Sequence, residues 1–306
     1  MDFILKRISE LEKETGVKRS IFAACPNSMA VLRASLRSAK RNNAPIKFAA
    51  TLNQVDLDGG YTGMTADEFV KTIREESRKI NLKSPVIIAI DHGGPWLKDI
   101  QRIEKWTYER AMTGIKKSFE AAIGAGYDLI HVDPTVDITL PVNQTMDITI
   151  VAGRTLELIE HSENFRKARG LRKISYEVGT EEVHGGLADL KVFRTFLKLL
   201  KEGLRSRKME DVWPCFVVGK VGTDLHTTLF DPKTARELSQ VAGTFGSYIK
   251  GHYSDNVDNP EEYPLSGMGG ANVGPEFTEK EYEGLMELDA IEELLYSRGE
   301  IVISIV

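Results

Sequence analysis

Short apolar runs recur eight times along the chain, and segments with helical periodicity separate them. Val86–Ile90 is apolar at every position, which is typical of a strand buried on both faces of a parallel sheet. The eight runs are Ser20–Pro26, Ile46–Asn53, Pro85–His92, Leu129–Asp133, Ile174–Glu181, Cys215–Lys220, Ser247–His252 and Gly269–Val273. Strands that alternate with helices in this way predict an α/β fold, here a single (β/α)8 TIM barrel.

The same pattern predicts one domain over residues 1–306. An amphipathic helix at 1–18 either plugs the bottom of the barrel or packs beside it, and the barrel itself spans 19–298. Between His252 and Gly269 the chain has two prolines and no helical period, so we predict an irregular seventh βα connection.

Capping residues mark the starts of several helices. Thr65 and Glu68 have capping-box spacing, and so do Thr278 and Glu281. Asp231 is followed by a proline, which favours a helix that begins at that proline. We therefore predict that helices begin directly after these three caps.

The composition limits the classes of function. A chain of 306 residues with 42% hydrophobic residues can form a large core, and its net charge of −5 argues against a nucleic-acid partner. No apolar run approaches the ~20 residues of a membrane helix, and the charged N-terminal segment does not fit a secretory signal. Cys25 and Cys215 are predicted to be reduced core residues, which favours a cytoplasmic protein without a membrane partner.

Polar and charged residues stand at the ends of the predicted strands. In an eight-stranded parallel barrel these carboxyl ends surround the active site. The ends read Asn27, Asn53 and Gln54, Asp91 and His92, Asp133, Glu181 and Glu182, Lys220, His252 and Asn272. This arrangement is typical of an enzyme.

Histidines and carboxylates at these ends fit a divalent-metal site. His92 and His252 can each bind a metal through an imidazole nitrogen, and Glu181, Glu182 or His184 can complete the coordination shell. The Asp-His dipeptide at the end of the third strand is equally consistent with a hydrogen-bonded turn pair.

Other polar residues have structural as well as chemical interpretations. Glu177 lies inside the fifth strand, so it either faces a cation in the barrel or caps a polar network. His131 is predicted to be packed within the fourth strand, and His161 is predicted to lie on a helix surface. His226 follows the sixth strand and is predicted to be a solvated loop residue.

Lys220 and the glycine-rich tips have several predicted roles. Lys220 forms a Schiff base with a ketone, neutralises a phosphate or an oxyanion, or is a salt-bridged surface residue. The runs Gly251–Asp255 and Ser266–Gly270 either bind phosphate through backbone amides or are flexible connectors.

Distinctive motifs occur in a fixed order between about Ser20 and Leu295. They are Asn53-Gln54, Gly59–Thr65, Asp91–Trp96, Ile130–Asp133, Gly179–Glu181 with Gly185-Gly186, His252 with Ser254 and Asp255, and Val273–Pro275. In this order they resemble the D-tagatose-1,6-bisphosphate aldolase Z-type (accessory) subunit family, which is related to the class II ketose-bisphosphate aldolases.

The resemblance implies a metal-dependent barrel and roles for individual residues. It implies that Asp91 is an acid/base, that His92 and His252 bind the metal, and that Asn272 contacts the substrate. Members of the family act largely as non-catalytic partners of a separate aldolase, and some relatives epimerise ketoses at C4.

The sequence departs from the class II pattern at the end of the sixth strand. The aldolases have a further histidine ligand there, where this chain has Gly-Lys-Val. A third protein ligand is then expected from Glu181, Glu182, His184 or His226. Z-type subunits are also typically longer at the carboxyl end.

The main hypothesis is a metal-dependent, class II aldolase-like enzyme that acts on a ketose or ketose phosphate of the tagatose or fructose type. Its retro-aldol chemistry would serve an aldolase or a C4 epimerase. The alternatives are a non-catalytic stabilising subunit of a tagatose-bisphosphate aldolase, and a Schiff-base aldolase that uses Lys220. The expected cofactor is zinc, with manganese, cobalt or magnesium as substitutes, and the expected partners are the sugar, an aldolase catalytic subunit and further copies of the chain.

The predicted site contains three groups of residues. Catalytic roles are predicted for Asp91, Glu182 and Lys220. Metal ligation is predicted for His92, Glu181 and His252. Substrate contacts are predicted for Asn27, Asn53, Gln54, Asp133, Gly251, Ser254, Asp255 and Asn272.

Overall fold

The computed structural model describes residues 1–141, 144–180, 186–223 and 229–302, and within them eight parallel strands form a closed barrel. The barrel strands, numbered first to eighth along the chain, are Ile21–Ala24, Ile46–Thr51, Val86–Gly93, Leu129–Val132, Ser175–Gly179, Phe216–Val218, Tyr248–Gly251 and Gly270–Val273. Each pairs with its neighbours in chain order, and the first strand pairs with the eighth. The predicted TIM barrel is confirmed.

Helices connect the strands. They are α1 Asp2–Thr15, α2 Met29–Arg41, α3 Ala66–Lys79, α4 Asp99–Ile103, α5 Tyr108–Ala125, α6 Ile148–Ala168, α7 Leu190–Ser206, α8 Pro232–Phe245, α9 Glu262–Leu265 and α10 Pro275–Ser297, with a 3₁₀ turn at Glu210–Val212. Gly186–Leu187 pairs antiparallel with Val221–Gly222 outside the barrel. The seventh connection contains only the four-residue α9, as its lack of helical period predicted.

Two of the three predicted helix caps are confirmed. The Thr65 side chain accepts the Glu68 amide while the Glu68 carboxylate accepts the Thr65 amide, and Asp231 caps α8. The prediction that the last helix begins after Thr278 is wrong, because α10 begins at Pro275. Proline fits the first turn of a helix, since its φ is already helical and its missing N–H would have no partner there.

Helix α1 closes the bottom of the barrel. Its Leu5 is 5% exposed and packs in a cluster with Ile21, Leu129 and Phe216, which come from three barrel strands. Of the two predicted placements, the structure shows the plug.

Helix α10 lies against the barrel only at its start. None of its 23 residues is buried, and Leu285, Leu288 and Ile291 are each more than half exposed. Apolar side chains exposed in such number on one helix typically mark a contact surface. No helix in the described ranges has the length and apolar character that a membrane span requires.

Candidate active site

The end of the third strand directs two consecutive side chains into the barrel mouth. Pairing with the fourth strand shifts register between Ile90 and Gly93, and His92 has a φ of 48°. Side chains normally alternate across a strand, so this irregularity lets Asp91 and His92 both face the cavity. A Cβ at Gly93 would lie 2.7 Å from the His131 carbonyl oxygen, so only glycine allows the third and fourth strands to approach this closely.

Three histidines from three strands meet beneath the mouth. The ring centroids of His92, His131 and His252 lie 4.5 to 5.1 Å apart. His131 is fully buried, and its Nδ1 accepts the His92 backbone N–H at 3.0 Å. The chain therefore gathers imidazoles from the ends of the third and seventh strands and from the interior of the fourth.

A row of hydrogen bonds runs through two of these histidines. His92 Nδ1 lies 2.7 Å from Asp133 Oδ2, His92 Nε2 lies 2.8 Å from His252 Nδ1, and His252 Nε2 lies 2.8 Å from Glu177 Oε1. Burial lowers the pKa of His92, but Asp91 and the hydrogen bond to Asp133 outweigh burial and raise it to about 9. Burial and the Lys250 ammonium lower the pKa of His252 to about 3. The protonated His92 accordingly donates hydrogen bonds to Asp133 and to His252. The neutral His252 in turn donates from its Nε2 to Glu177.

Glu177 anchors the floor of the site. Its carboxylate accepts Lys47 Nζ at 2.9 Å and Lys250 Nζ at 2.7 Å, and all three side chains are at most 1% exposed. Although burial raises the pKa of Glu177, the two lysines hold it well below the usual range. Asp91, Asp133 and Glu177 balance the two lysines and the protonated His92, so loss of the His92 proton would leave one negative charge for a bound cation.

Asp91 is held in place by two side chains. Asn272 Nδ2 donates to Asp91 Oδ1 at 3.0 Å, and the Cys25 thiol lies 3.6 Å from Asp91 Oδ2. Burial opposes ionisation, but the surrounding imidazoles and the Lys250 ammonium hold the pKa of Asp91 well below its usual value. Asp91 is thus an ionised, oriented carboxylate at the cavity wall.

A cavity of about 680 Å³ lies above these groups. Described residues that line it are Cys25, Asn27, Thr51, Gln54, Tyr61, Asp91, His92, His252, Tyr253, Asp255, Asn272, Gly274, Pro275, Thr278, Glu279 and Tyr282. Tyr61 reaches the mouth because its loop folds back, with the Tyr61 amide bound to the Asn53 carbonyl at 2.8 Å. The cavity is large enough for a small metabolite.

Nearly the whole sequence matches one known protein family. The family described as "D-tagatose-1,6-bisphosphate aldolase subunit GatZ/KbaZ-like" matches residues 5–302. The chain belongs to this family. The resemblance predicted from the motifs is confirmed, and the family's description names a subunit that works within an aldolase.

Solved structures share the fold of this family member. A probable tagatose 6 phosphate kinase from Sinorhizobium meliloti 1021 is 23% identical, with 91% of this chain and 70% of that chain covered and a TM-score of 0.76. Fructose-bisphosphate aldolase from Campylobacter jejuni is 14% identical over 94% of this chain and 80% of that chain, with a TM-score of 0.61. The YdjI aldolase from Escherichia coli K12 is 10% identical over 98% of this chain and 86% of that chain, with a TM-score of 0.57. At these identities the likeness shows the fold alone.

The cavity brings together many of the side chains predicted from the sequence of this GatZ/KbaZ-like chain. The predicted residues that line it are Asn27, Gln54, Asp91, His92, His252, Asp255 and Asn272. Gln54 also supports the fold, because its amide nitrogen donates to the Pro26 carbonyl at 3.1 Å.

Other predicted residues have structural contacts. Asn53 accepts the Asp99 amide at 2.9 Å, which holds the loop after the third strand. Asp133 orients the His92 ring, and Gly251 leaves room for Tyr263, because a Cβ there would lie 2.6 Å from that ring. The Ser254 hydroxyl is buried without a hydrogen-bond partner among the described residues.

Five further predicted residues are not among the described lining residues of the cavity. Lys220 is half-buried after the sixth strand and is not among the described lining residues. Glu181, Glu182, His184 and His226 lie outside the described residues. Their predicted roles stay predictions.

The sequence interpretation missed His131, Lys47 and Lys250. His131 was interpreted as a packed strand residue, and the lysines were given no role. A signal was present, because all three are polar residues at interior positions of strands predicted to be buried. Buried charges need partners, so these lysines and Glu177 could have been matched to one another.

The donor set fits a divalent metal. One ligand atom from each of His92, His131 and His252 lies within 4.8 Å of the others, and the same holds for Asp91, His131, Glu177 and His252. Zinc is bound in proteins by such imidazoles and carboxylates. His131 faces the other donors with its Nδ1, which lies 3.6 Å from Asp91 Oδ1 and 3.7 Å from Glu177 Oε1.

Proposed function

We propose that this chain catalyses retro-aldol chemistry on a ketose with the help of a divalent metal. The observation that carries the proposal is the convergence of Asp91 and three histidines at one end of the barrel, beneath a metabolite-sized cavity. Membership in an aldolase-subunit family supports the same chemistry.

The proposed ligands are His92, His131 and His252, and zinc is the proposed ion, with manganese, cobalt or magnesium as substitutes. His92 Nε2 and His252 Nδ1 share a hydrogen bond at 2.8 Å and are the two nitrogens that an ion would engage in place of that proton. When bound, the ion supplies a Lewis acid that polarises the ketose carbonyl. In this proposal His131 is the third metal ligand, the role that the sequence suggested for Glu181.

Asp91 is the proposed base. As the C3–C4 bond breaks, the C4 hydroxyl becomes a carbonyl and loses its proton, which the ionised Asp91 carboxylate accepts. Asn272 and Cys25 hold that carboxylate at the cavity wall. Return of the proton to C3 completes an aldolase cycle, whereas return to O4 after the fragments rejoin on the opposite face completes a C4 epimerisation.

Purified protein tests the proposal directly. We expect about one divalent ion per chain and turnover of fructose, tagatose or their phosphates that EDTA removes and metal restores. The His92→Ala variant should lose both metal and turnover while keeping its fold. The matched control is His161→Ala, since His161 lies on a helix surface and pairs with Glu120. Turnover that survives His92→Ala or EDTA contradicts the metal mechanism.

An accessory role is the second candidate, because the family description names a subunit. This role requires a docking surface, and the exposed apolar side chains of α10 would supply one. It predicts that the chain alone has neither metal nor turnover and that both appear with a catalytic aldolase. A Schiff base at Lys220 has less support, since Lys220 is not among the described residues that line the cavity. Borohydride trapping of a ketose at Lys220 would favour it.

We also propose that the chain pairs with a second copy through α10. Helix α10 carries eight acidic residues and one lysine, whereas α2 carries four basic residues and no acid. A groove of about 430 Å³ beside α2 is lined by Phe22, Ala34 and Phe277, and Phe22 is 42% exposed. The α10 of a second copy would cover the groove and place its acids beside the basic side chains of α2.

A further inference from the structure

We infer that the cavity takes an uncharged polyhydroxy ketone, a sugar without phosphate groups. The inference rests on the proposed function and names its substrate class. The sequence predicts a phosphate at the tips of the seventh and eighth strands, held by backbone amides of Gly251–Asp255 and Ser266–Gly270. Next to these runs, the amides at the start of α10 already bind an internal carboxylate.

Asp255 is that carboxylate. Its Oδ1 accepts the Gly274 amide at 2.8 Å and the Glu276 amide at 2.9 Å, at the start of α10. Between them Pro275 has no N–H to offer. Free amides at a helix N-terminus favour an anion, but here the chain itself provides the anion. A sugar phosphate would have to displace Asp255 from the amides beside the cavity.

The same wall repels a phosphate. Asp255 and Glu279 both line the cavity, and Glu276 lies one turn from Glu279 on α10. The described lining residues include no lysine or arginine, and the protonated His92 among them has both ring nitrogens committed to Asp133 and His252. A phosphate dianion bound there would face like charges, which lower the affinity of a site for a charged ligand.

Three lysines near the cavity already pair with carboxylates. Lys47 and Lys250 are 1% exposed and direct their ammonium groups to Glu177 beneath the cavity floor. Lys98, on the loop after the third strand, binds Asp56 and Asp58 at 2.6 and 2.8 Å. Residues 181–185 and 224–228, which lie outside the described ranges, contain no lysine or arginine.

Two side-chain amide oxygens at the cavity can accept hydrogen bonds from hydroxyl groups. Asn27 and Asn272 line the cavity, and the Oδ1 atom of each is buried without a hydrogen-bond partner in the described ranges. Asn272 itself is 3% exposed, and its Nδ2 is committed to Asp91. Hydroxyl groups of a ketose can donate to both oxygens, whereas a phosphate dianion offers only acceptors. The two oxygens therefore mark positions for sugar hydroxyl groups, and a phosphate group placed there would leave them unpaired.

Binding and turnover test the substrate class separately. Calorimetry should show that fructose or tagatose binds the metal-loaded chain, while the corresponding 1-phosphates, 6-phosphates and 1,6-bisphosphates bind roughly 100-fold more weakly. In turnover, kcat/KM should follow the same order. Tighter binding of any phosphorylated form overturns the inference, whether or not the protein turns it over. Absence of turnover with every sugar contradicts the proposed function while leaving the binding order to decide the substrate class.

Variants test the role of Asp255. Asp255→Gly frees the two amides, so inorganic phosphate should become a competitive inhibitor of this variant while it leaves the unmodified chain unaffected. Asp258→Gly, at an exposed position of the same loop, is the control and should remain insensitive to phosphate. Inhibition of the unmodified chain by phosphate, relieved in Lys220→Met, would overturn the inference in favour of a phosphate held by Lys220.

Discussion

At the residue scale, His92 joins the separate parts of the site. Its backbone N–H bonds to His131, while its ring contacts Asp133 on one side and His252 on the other. These contacts depend on a φ of 48°, a conformation that non-glycine residues seldom adopt. Strained backbone of this kind persists where surrounding contacts enforce it, and it occurs often at active sites.

We expect His131→Ala to weaken metal binding by at least about 100-fold, since removal of a ligand should exceed the 10- to 100-fold cost of removing a second-shell partner. Turnover should fall with it. Metal content and calorimetric metal affinity check the prediction, with His161→Ala as the matched control. Unchanged affinity in His131→Ala would show that the third ligand lies elsewhere, with Glu181 as the next candidate.

A glycine pair in the Tyr61 loop allows a matched test of backbone shape. Gly60 and Gly63 both have positive φ, but a Cβ at Gly60 would lie 2.4 Å from the Gln54 carbonyl oxygen, whereas one at Gly63 meets nothing within 4 Å. We expect Gly60→Ala to cost about 1–3 kcal/mol more than Gly63→Ala. Thermal unfolding of the two variants measures the difference, and equal melting temperatures would contradict this account.

Part of the site could be predicted from single residues. Asp91, His92 and His252 stand at strand ends, where the barrel fold alone predicts exposure to the mouth. His131 could not be separated from a packed histidine, because strand position does not reveal that its ring meets Asp91, His92 and His252 from other strands. Asp133 is predicted to contact substrate, and in the structure its Oδ2 lies 2.7 Å from His92 Nδ1, a contact that its strand position does not reveal.

At the element scale, ion pairs connect neighbouring helices of the outer layer. Glu76 on α3 accepts Arg33 of α2 at 2.9 Å and Lys79 of its own helix at 2.6 Å. These two partners lower the pKa of Glu76 from 4.5 to about 2. Because its pKa is lower in the folded chain, Glu76 stabilises the fold above its unfolded pKa, and that contribution disappears as pH falls towards 2.

The Glu76→Gln variant tests this ion pair. We expect it to melt at a lower temperature than the unmodified chain at neutral pH, and we expect the gap to shrink between about pH 4 and pH 2. Melting curves across that range, with Glu75→Gln as the neighbouring control, measure the gap. A gap that is constant with pH would mean that charge has no part in the effect.

Local sequence specified some helix starts and left others open. The capping box at Thr65 and the proline after Asp231 satisfy backbone groups within one turn, so sequence spacing was sufficient. The same spacing at Thr278 gave a wrong start, because Pro275 begins α10 earlier and Asp255 binds its first amides. Asp255 comes from the preceding loop, which a window of a few residues does not include.

At the scale of the whole molecule, barrel closure assembles a charged lumen. Lys47, Glu177 and Lys250 come from the second, fifth and seventh strands and meet at hydrogen-bond distance. Buried charges cost stability unless they are paired, and here each lysine has a carboxylate partner. The closed sheet supplies the pairing that no single strand could.

The proposed self-association predicts a dimer in solution. Light scattering after size exclusion should give twice the mass of the 34.1 kDa chain. Leu288→Glu, at a position 61% exposed on α10, should give a monomer with an unchanged melting profile of the barrel. The control is Val17→Glu, at a position 53% exposed beside α1. A monomeric unmodified chain would contradict the pairing.

The sequence by itself determined the barrel, the family and the residues at the strand ends. Hydrophobic periodicity and the order of motifs can be read from the sequence alone. In a parallel barrel the carboxyl ends of all strands lie on one face of the molecule. Only the tertiary structure decided that His131 joins His92 and His252, that Glu177 pairs with two lysines, and that Asp255 covers the amides of α10. Those contacts join residues that are far apart in the chain, so the residues come close to one another only when the strands close into the barrel.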